Sequence, residues 1–95
     1  MRVIWTRRYL RELGDIGAYI AQSNPRAAAR VMRNIHVRTG QLLSANPFAG
    51  RAGELEGTRE LVLSDLPYII AYRVGDNQVE VLFVQHAARE WPREV

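Results

Sequence analysis

The triplet Ser23-Asn24-Pro25 cuts one long amphipathic run into two helices, and this cut restricts the possible folds more than any other feature of the chain. Asn24 is a good helix cap, and Pro25 suits a first helical position, where no backbone N–H is needed. The upstream run starts after Thr6, itself a capping residue, and extends to about Gln22. On a 100° wheel Tyr9, Leu13, Ile16 and Ile20 gather on one face, with Arg7, Arg11 and Asp15 opposite. The downstream run, about Pro25 to Ala45, places Ala28, Val31, Met32, Ile35, Thr39 and Leu42 on one face and Arg26, Arg30 and Arg33 on the other. A short link between two such helices makes an antiparallel hairpin with one apolar side to cover.

The rest of the chain supplies the cover. Arg2–Trp5 reads as a first strand. Asn46-Pro47 stops the second helix, and the glycine-rich stretch to Gly57 reads as loop. Three strands follow, at about Thr58–Leu63, Tyr68–Val74 and Val79–Gln85, joined by turns at Ser64–Pro67 and Gly75–Gln78. His86 to Trp91 is a tail of at most one helical turn, stopped by Pro92. The order β-α-α-β-β-β belongs to the α+β class, with the helical hairpin packed on a mainly antiparallel sheet. Residues 1–95 are expected to make a single domain.

Regular pairing of Val74 with Val79 sets Arg73 opposite Glu80, Ile69 opposite Val84 and His86 level with Pro67. Pairing Leu63 with Tyr68 sets Val62 opposite Ile69 and Arg59 opposite Tyr72. One sheet face then carries Leu61, Leu63, Ile70, Tyr72, Val74, Val79, Val81 and Phe83, enough to seat the helices. The other carries Val62, Ile69, Ala71, Leu82 and Val84 beside Glu60, Arg73 and Glu80. No helix is left to cover that second face, and an uncovered apolar patch on a small protein points to a partner.

Charge narrows the class of partner. The net charge is only +3, yet all 13 basic residues are arginine, and Ile16 to Gly53 holds five of them without one acid. A flank this positive suits nucleic acid or an acidic polypeptide. Arg7 and Arg8 stand at a helix N-terminus, where the dipole disfavours each by about 0.5 kcal/mol. Without lysine there is no Schiff-base chemistry and no Walker-type phosphate loop. Without cysteine there is no disulfide framework and no thiolate metal site. No apolar run approaches the ~20 residues that span a bilayer, and Met1–Thr6 lacks a signal-peptide core, so a soluble cytoplasmic protein is expected.

Several short motifs share a resemblance. Trp5-Thr6, Tyr19-Ile20, Asn24-Pro25-Arg26-Ala27-Ala28 and Asn46-Pro47-Phe48-Ala49-Gly50-Arg51 come first. Arg59-Glu60-Leu61-Val62, Pro67 to Val74 and His86-Ala87-Ala88-Arg89-Glu90-Trp91-Pro92 follow in order. Together they resemble the RelE/ParE family of toxins over roughly residues 2 to 92. The resemblance implies a bacterial toxin silenced by a cognate antitoxin protein encoded beside it. For a ParE-like member the resemblance implies poisoning of DNA gyrase; for a RelE-like member it implies ribosome-dependent cleavage of mRNA.

Metal-free RNA cleavage needs a base, an acid and cations around the phosphate. His36, on the flank of the second helix, reads as a boundary residue. If the chain is a ribonuclease, His86 and Arg89 are its candidates, but ParE-like members also carry a histidine in this closing motif. Arg73 lies six rungs from His86, about 20 Å at the usual strand rise, so the two cannot share a site. Where RelE-like members present basic residues, this chain has Glu60, Val62 and Ile69, and an unpaired Glu60 would repel RNA. The expectation is therefore a gyrase poison acting as a protein ligand. It has no favoured catalytic residue, cofactor, metal, membrane or small-molecule substrate. The ribosome and mRNA are the alternative targets, and a plain nucleic-acid-binding module is the third reading. Arg26, Arg30 and Arg33 are the target-binding candidates. The antitoxin is expected to cover Val62, Ile69, Ala71, Leu82 and Val84 and to pair with Arg73 or Arg89, unless Trp91 folds back over the patch.

Overall fold

Thr6 turns the first strand into the first helix. In the computed structural model, which describes residues 1–95, strand β1 is Arg2–Trp5 and helix α1 is Arg7–Ala21. The Thr6 side chain caps α1 by accepting from Tyr9 N at 3.2 Å. Its hydroxyl also lies 2.7 Å from the carbonyl oxygen of Val81 and 2.9 Å from that of Leu82. Helix α2 is Pro25–Ala45, with Asn24 Oδ1 accepting from Ala27 N at 3.1 Å and Pro25 in the first turn. The strands that follow are β2 (Arg51–Ala52), β3 (Arg59–Val62), β4 (Tyr68–Val74) and β5 (Gln78–His86).

The sheet order is β1-β5-β4-β3-β2, with β1 parallel to β5 and every other pair antiparallel. The α+β class and the helical hairpin are as the sequence implies; the two-residue β2 lies inside the stretch read as loop. Both helices pack on one face. Tyr9 and Leu13 of α1 and Ile35 and Leu43 of α2 join Leu61, Leu63, Ile70, Tyr72, Val79 and Val81 in the main core. Gly17 rather than Ile20 completes the buried side of α1, because a Cβ there would run into the Met32 sulfur of α2. Leu42, expected inward, is exposed, and Leu43 takes its place.

A bulge in β5 changes the expected register. Val74–Val79, Arg73–Glu80 and Tyr72–Val81 pair as anticipated, but Ala71 then pairs with Phe83, and Ile70 with Val84. Leu82 is the extra residue. A slip of one residue exchanges sheet faces. Val84 therefore joins the main core, while Phe83 joins Leu55, Ala71 and Leu82 in a second cluster. Consecutive carbonyls of a regular strand point opposite ways, so one hydroxyl cannot reach both. The bulge lets those of Val81 and Leu82 converge on Thr6.

The second cluster is closed from within the chain. Trp91 packs on it, its ring centroid 5.1 Å from that of Phe83, and the Arg8 guanidinium sits 4.5 Å from the Phe83 ring centre. The expected open face is not open: Ala71, Leu82 and Val84 are 1%, 4% and 2% exposed. Only Val62 is exposed among the five aliphatics, and Ile69 is half-buried.

Candidate functional site

Strand β1 pairs with β5 only as far as Trp5 opposite Val81. Beyond that point α1 runs beside the β5 edge, and Glu12 Oε1 accepts from Val84 N at 3.3 Å. Glu12 is held in place by Arg8, 3.5 Å away and one helical turn earlier. This arrangement leaves a cleft of about 400 Å³ between α1, the end of β5 and the closing turn. Glu12, Asp15, Ile16 and Tyr19 form the α1 wall, since their spacing puts them on one helical face. Tyr68, Gln85, His86 and Arg89 line the other side.

The cleft brings together the two residues named for a ribonuclease. His86 sits at the end of β5, edge-on to Tyr68 with ring centroids 5.5 Å apart. Its Nδ1 accepts from Ala88 N at 3.1 Å, which assigns the neutral ring's proton to Nε2. Arg89 N donates to the His86 carbonyl at 3.0 Å, so both side chains leave one tight turn rather than a helical one. The Arg89 guanidinium has no acid partner. Burial and then the nearby Tyr19 push the Tyr68 hydroxyl above its ordinary value, so Tyr68 is a neutral phenol there. Sequence reasoning missed Glu12 and Tyr68, because the cleft joins chain segments about 70 positions apart; the exposed Tyr19 on an amphipathic helix was the available signal.

Three arginines of the sheet, Arg51, Arg59 and Arg73, are engaged elsewhere. Arg73 pairs across strands with Glu80 at 3.3 Å, at the far end of β4 from His86. Tyr68 pairs with His86 and Arg73 with Glu80, so five residues along β4 separate the two sites, about 17 Å at the usual rise. Arg59 donates to the Gly50 carbonyl through Nε at 3.1 Å and through a terminal nitrogen at 2.7 Å. The expectation for Glu60 needs correction. It is 4% exposed and paired with Arg51 at 2.9 Å, and its second oxygen accepts from Glu54 N at 2.9 Å. Glu60 is a buried anchor for β2 and cannot act as a bare repelling charge.

Gly50 explains why the Asn46–Arg51 motif has its form. Its N–H donates to the Tyr72 hydroxyl at 2.8 Å, and a Cβ would stand 2.6 Å from the Glu60 carbonyl oxygen. The motif is therefore a fitted loop clamp. Arg26, Arg30 and Arg33 lie far from this clamp in sequence, all exposed on the outer side of α2. His36 is a boundary residue, as expected: Tyr9 OH lies 3.1 Å from its Nδ1 and the Trp5 ring 4.1 Å from its own. No cluster of three or more His, Cys, Asp or Glu could hold a metal ion, and no helix is long and apolar enough to cross a membrane.

A helical hairpin on a five-stranded mixed sheet, with a cleft between α1 and the last strand, defines a small α+β domain. The family model for the ParE toxin of the type II toxin-antitoxin system parDE matches residues 3–91. "Putative toxin Y4kP" of Sinorhizobium fredii is 49% identical over 92 residues, covering 97% of this chain and 94% of that protein. "Toxin RelE2" of Caulobacter vibrioides is 38% identical over 88 residues, covering 93% of this chain and 97% of that protein. A chain from the chromosomal ParDE TA system of P. aeruginosa superposes with a TM-score of 0.79 at 29% identity, covering 90% of this chain and 95% of that one. The chain belongs to the ParE toxin family of type II toxin–antitoxin systems.

Proposed function

We propose that this chain inhibits growth in the cytoplasm by poisoning DNA gyrase as a protein ligand, and that a cognate antitoxin neutralises it. One observation carries the choice of target: the sheet arginines a phosphate cradle would use are already engaged. Arg73 faces Glu80, Arg51 faces Glu60, and Arg59 is clamped on the Gly50 carbonyl. The ParE-type family match supports the same reading. The test adds purified chain to gyrase with supercoiled plasmid and, separately, to translating ribosomes with a defined message. Trapped, cleaved plasmid is the expected result.

The ribonuclease reading has one observation in its favour, the meeting of His86, Arg89 and Tyr68 in a single cleft. Ribosome-dependent cuts abolished by His86→Ala would establish it and overturn the gyrase reading.

The antitoxin has less sheet to cover than the sequence implies, because Ala71, Leu82 and Val84 are enclosed. Exposed Val62 and half-buried Ile69 remain for it on the sheet, and the cleft adds Tyr19, 75% exposed, beside Arg89. An antitoxin segment with an apolar side chain for Tyr19 and Ile16, and an acid for Arg89, would fit there. Tyr19→Asp should leave toxicity intact while co-expressed antitoxin no longer restores growth. Full neutralisation of that variant would remove the cleft from the antitoxin interface.

A further inference from the structure

The arginines fall into two populations. Those at 8, 38, 51 and 73 each face an acid, and Arg59 holds backbone carbonyls. The other eight, Arg2, Arg7, Arg11, Arg26, Arg30, Arg33, Arg89 and Arg93, face no acid, make no side-chain hydrogen bond and are exposed, and Arg26, Arg30 and Arg33 are the three of them that share one helix face. Their spacing of four and three residues confines them to roughly 60° of the α2 circumference, opposite the buried Ala28 and Ile35. The first turn of α2 holds no acid and its last turn no base, and Arg26 in that first turn carries the sign the helix dipole disfavours there. Helix stability does not account for arginine at 26.

Length and texture identify the occupant. Arg26 to Arg33 spans about 10 Å of helix axis. One strand of B-DNA rises about 3.4 Å per phosphate along its axis, and winding sets successive phosphates about twice that far apart, so a row this long, extended by the reach of its guanidinium forks, meets about three phosphates. A protein partner would need an apolar centre, but Ala29 is the one apolar side chain set among these arginines and exposed Val37 follows only a turn beyond Arg33, at the end of the stripe, while Tyr19, Phe48 and Val62 are exposed outside α2. Single-stranded nucleic acid would need aromatic platforms, and α2 has no Phe, Tyr or Trp. We propose that the Arg26–Arg30–Arg33 face of α2 docks the phosphate backbone of duplex DNA without regard to sequence. The surface is separate from the cleft residues named above and does not depend on gyrase being the target.

The test titrates the full-length protein into a short fluorescent duplex at several salt concentrations and reads anisotropy. Three phosphate contacts contribute about 2.7 to the slope of log affinity against log salt. The triple variant Arg26→Gln, Arg30→Gln, Arg33→Gln should lower the slope by about that amount while its thermal midpoint stays unchanged. A charge-matched triple at Arg2, Arg7 and Arg11 should lose far less. Equal losses in the two triples would mean diffuse attraction by net charge and would overturn the proposal. Tighter binding of single-stranded DNA, or displacement of the duplex by polyglutamate at equal charge concentration, would also overturn it. Gyrase is absent from the assay, so its result and the outcome of the gyrase test can fail separately.

Discussion

Thr6 Oγ1 lies 2.9 Å from the carbonyl oxygen of Leu82, the bulged residue of β5, and this contact ties the start of α1 to the irregularity in the sheet. The same side chain accepts from Tyr9 N. Thr6→Val removes the helix cap and the donor to the bulge while keeping the shape. It should destabilise the fold by about 1–2 kcal/mol. Thr6→Ser retains both interactions and should lose less than about 0.5 kcal/mol. Urea midpoints of the two variants check the difference.

Leu82 tests where the second apolar cluster belongs. If its face were bare, Leu82→Asp would fold normally and affect only partner binding. Leu82 is instead 4% exposed beneath Trp91 and Phe83, so the carboxylate would be buried without a counter-charge. The expected outcome is a loss of more than about 3 kcal/mol, read as an unfolded or aggregated product. Trp91→Ala uncovers the same cluster from outside and should cost about 2 kcal/mol, since Trp91 itself is only partly buried.

The bulge marks the limit of what the sequence discloses. Helix ends at Asn24-Pro25 and Asn46 are legible because capping chemistry is local, and β4 is bounded by Pro67 and Gly75. Leu82-Phe83-Val84 is apolar at every position, so its pattern has no phase and cannot report a one-residue slip. Strand β2 is illegible for another reason. Arg51-Ala52 has no strand pattern of its own and pairs with β3 at Glu60 and Arg59, where buried Glu60 also binds Arg51. His86 and Arg89 could be found as a pair because one turn holds both; their partners on α1 could not.

Gly50 carries the tightest packing of the loop clamp. Gly50→Ala sets a methyl 2.6 Å from the Glu60 carbonyl oxygen and 2.7 Å from the Tyr72 hydroxyl. Overpacking of this kind should destabilise by about 2 kcal/mol. Tyr72→Phe instead leaves the Gly50 N–H without its acceptor in a buried site, at about 1–3 kcal/mol. Chemical denaturation of both single variants and the double checks the coupling: the double variant should lose less than the sum, because each change disrupts the same contact.

His36 sets the direction of the acid response. Tyr9 is fully buried, and burial raises its hydroxyl well above the ordinary tyrosine range, so it stays protonated and can donate to His36 Nδ1 when the neutral ring carries its proton on Nε2. Burial lowers the His36 pKa below its usual value. The indole face of Trp5 would favour an imidazolium, but the burial effect sets the net direction. Protonating Nδ1 would turn the contact round, so that the Tyr9 oxygen accepts and its own hydrogen is left without a side-chain acceptor. Below the unfolded histidine value of about 6.5 the unfolded chain therefore binds more protons than the folded one. Stability should be fullest above that value and fall as pH drops through the lower folded value. Arg38 holds the Asp65 carboxyl below the usual carboxylate range, so the loss from that pair begins only at more acid pH. Urea midpoints should be lower at about pH 5 than at about pH 7.5. His36→Gln, which can offer Tyr9 an amide oxygen but does not titrate, should flatten that difference; an unchanged difference would assign the acid sensitivity to other groups.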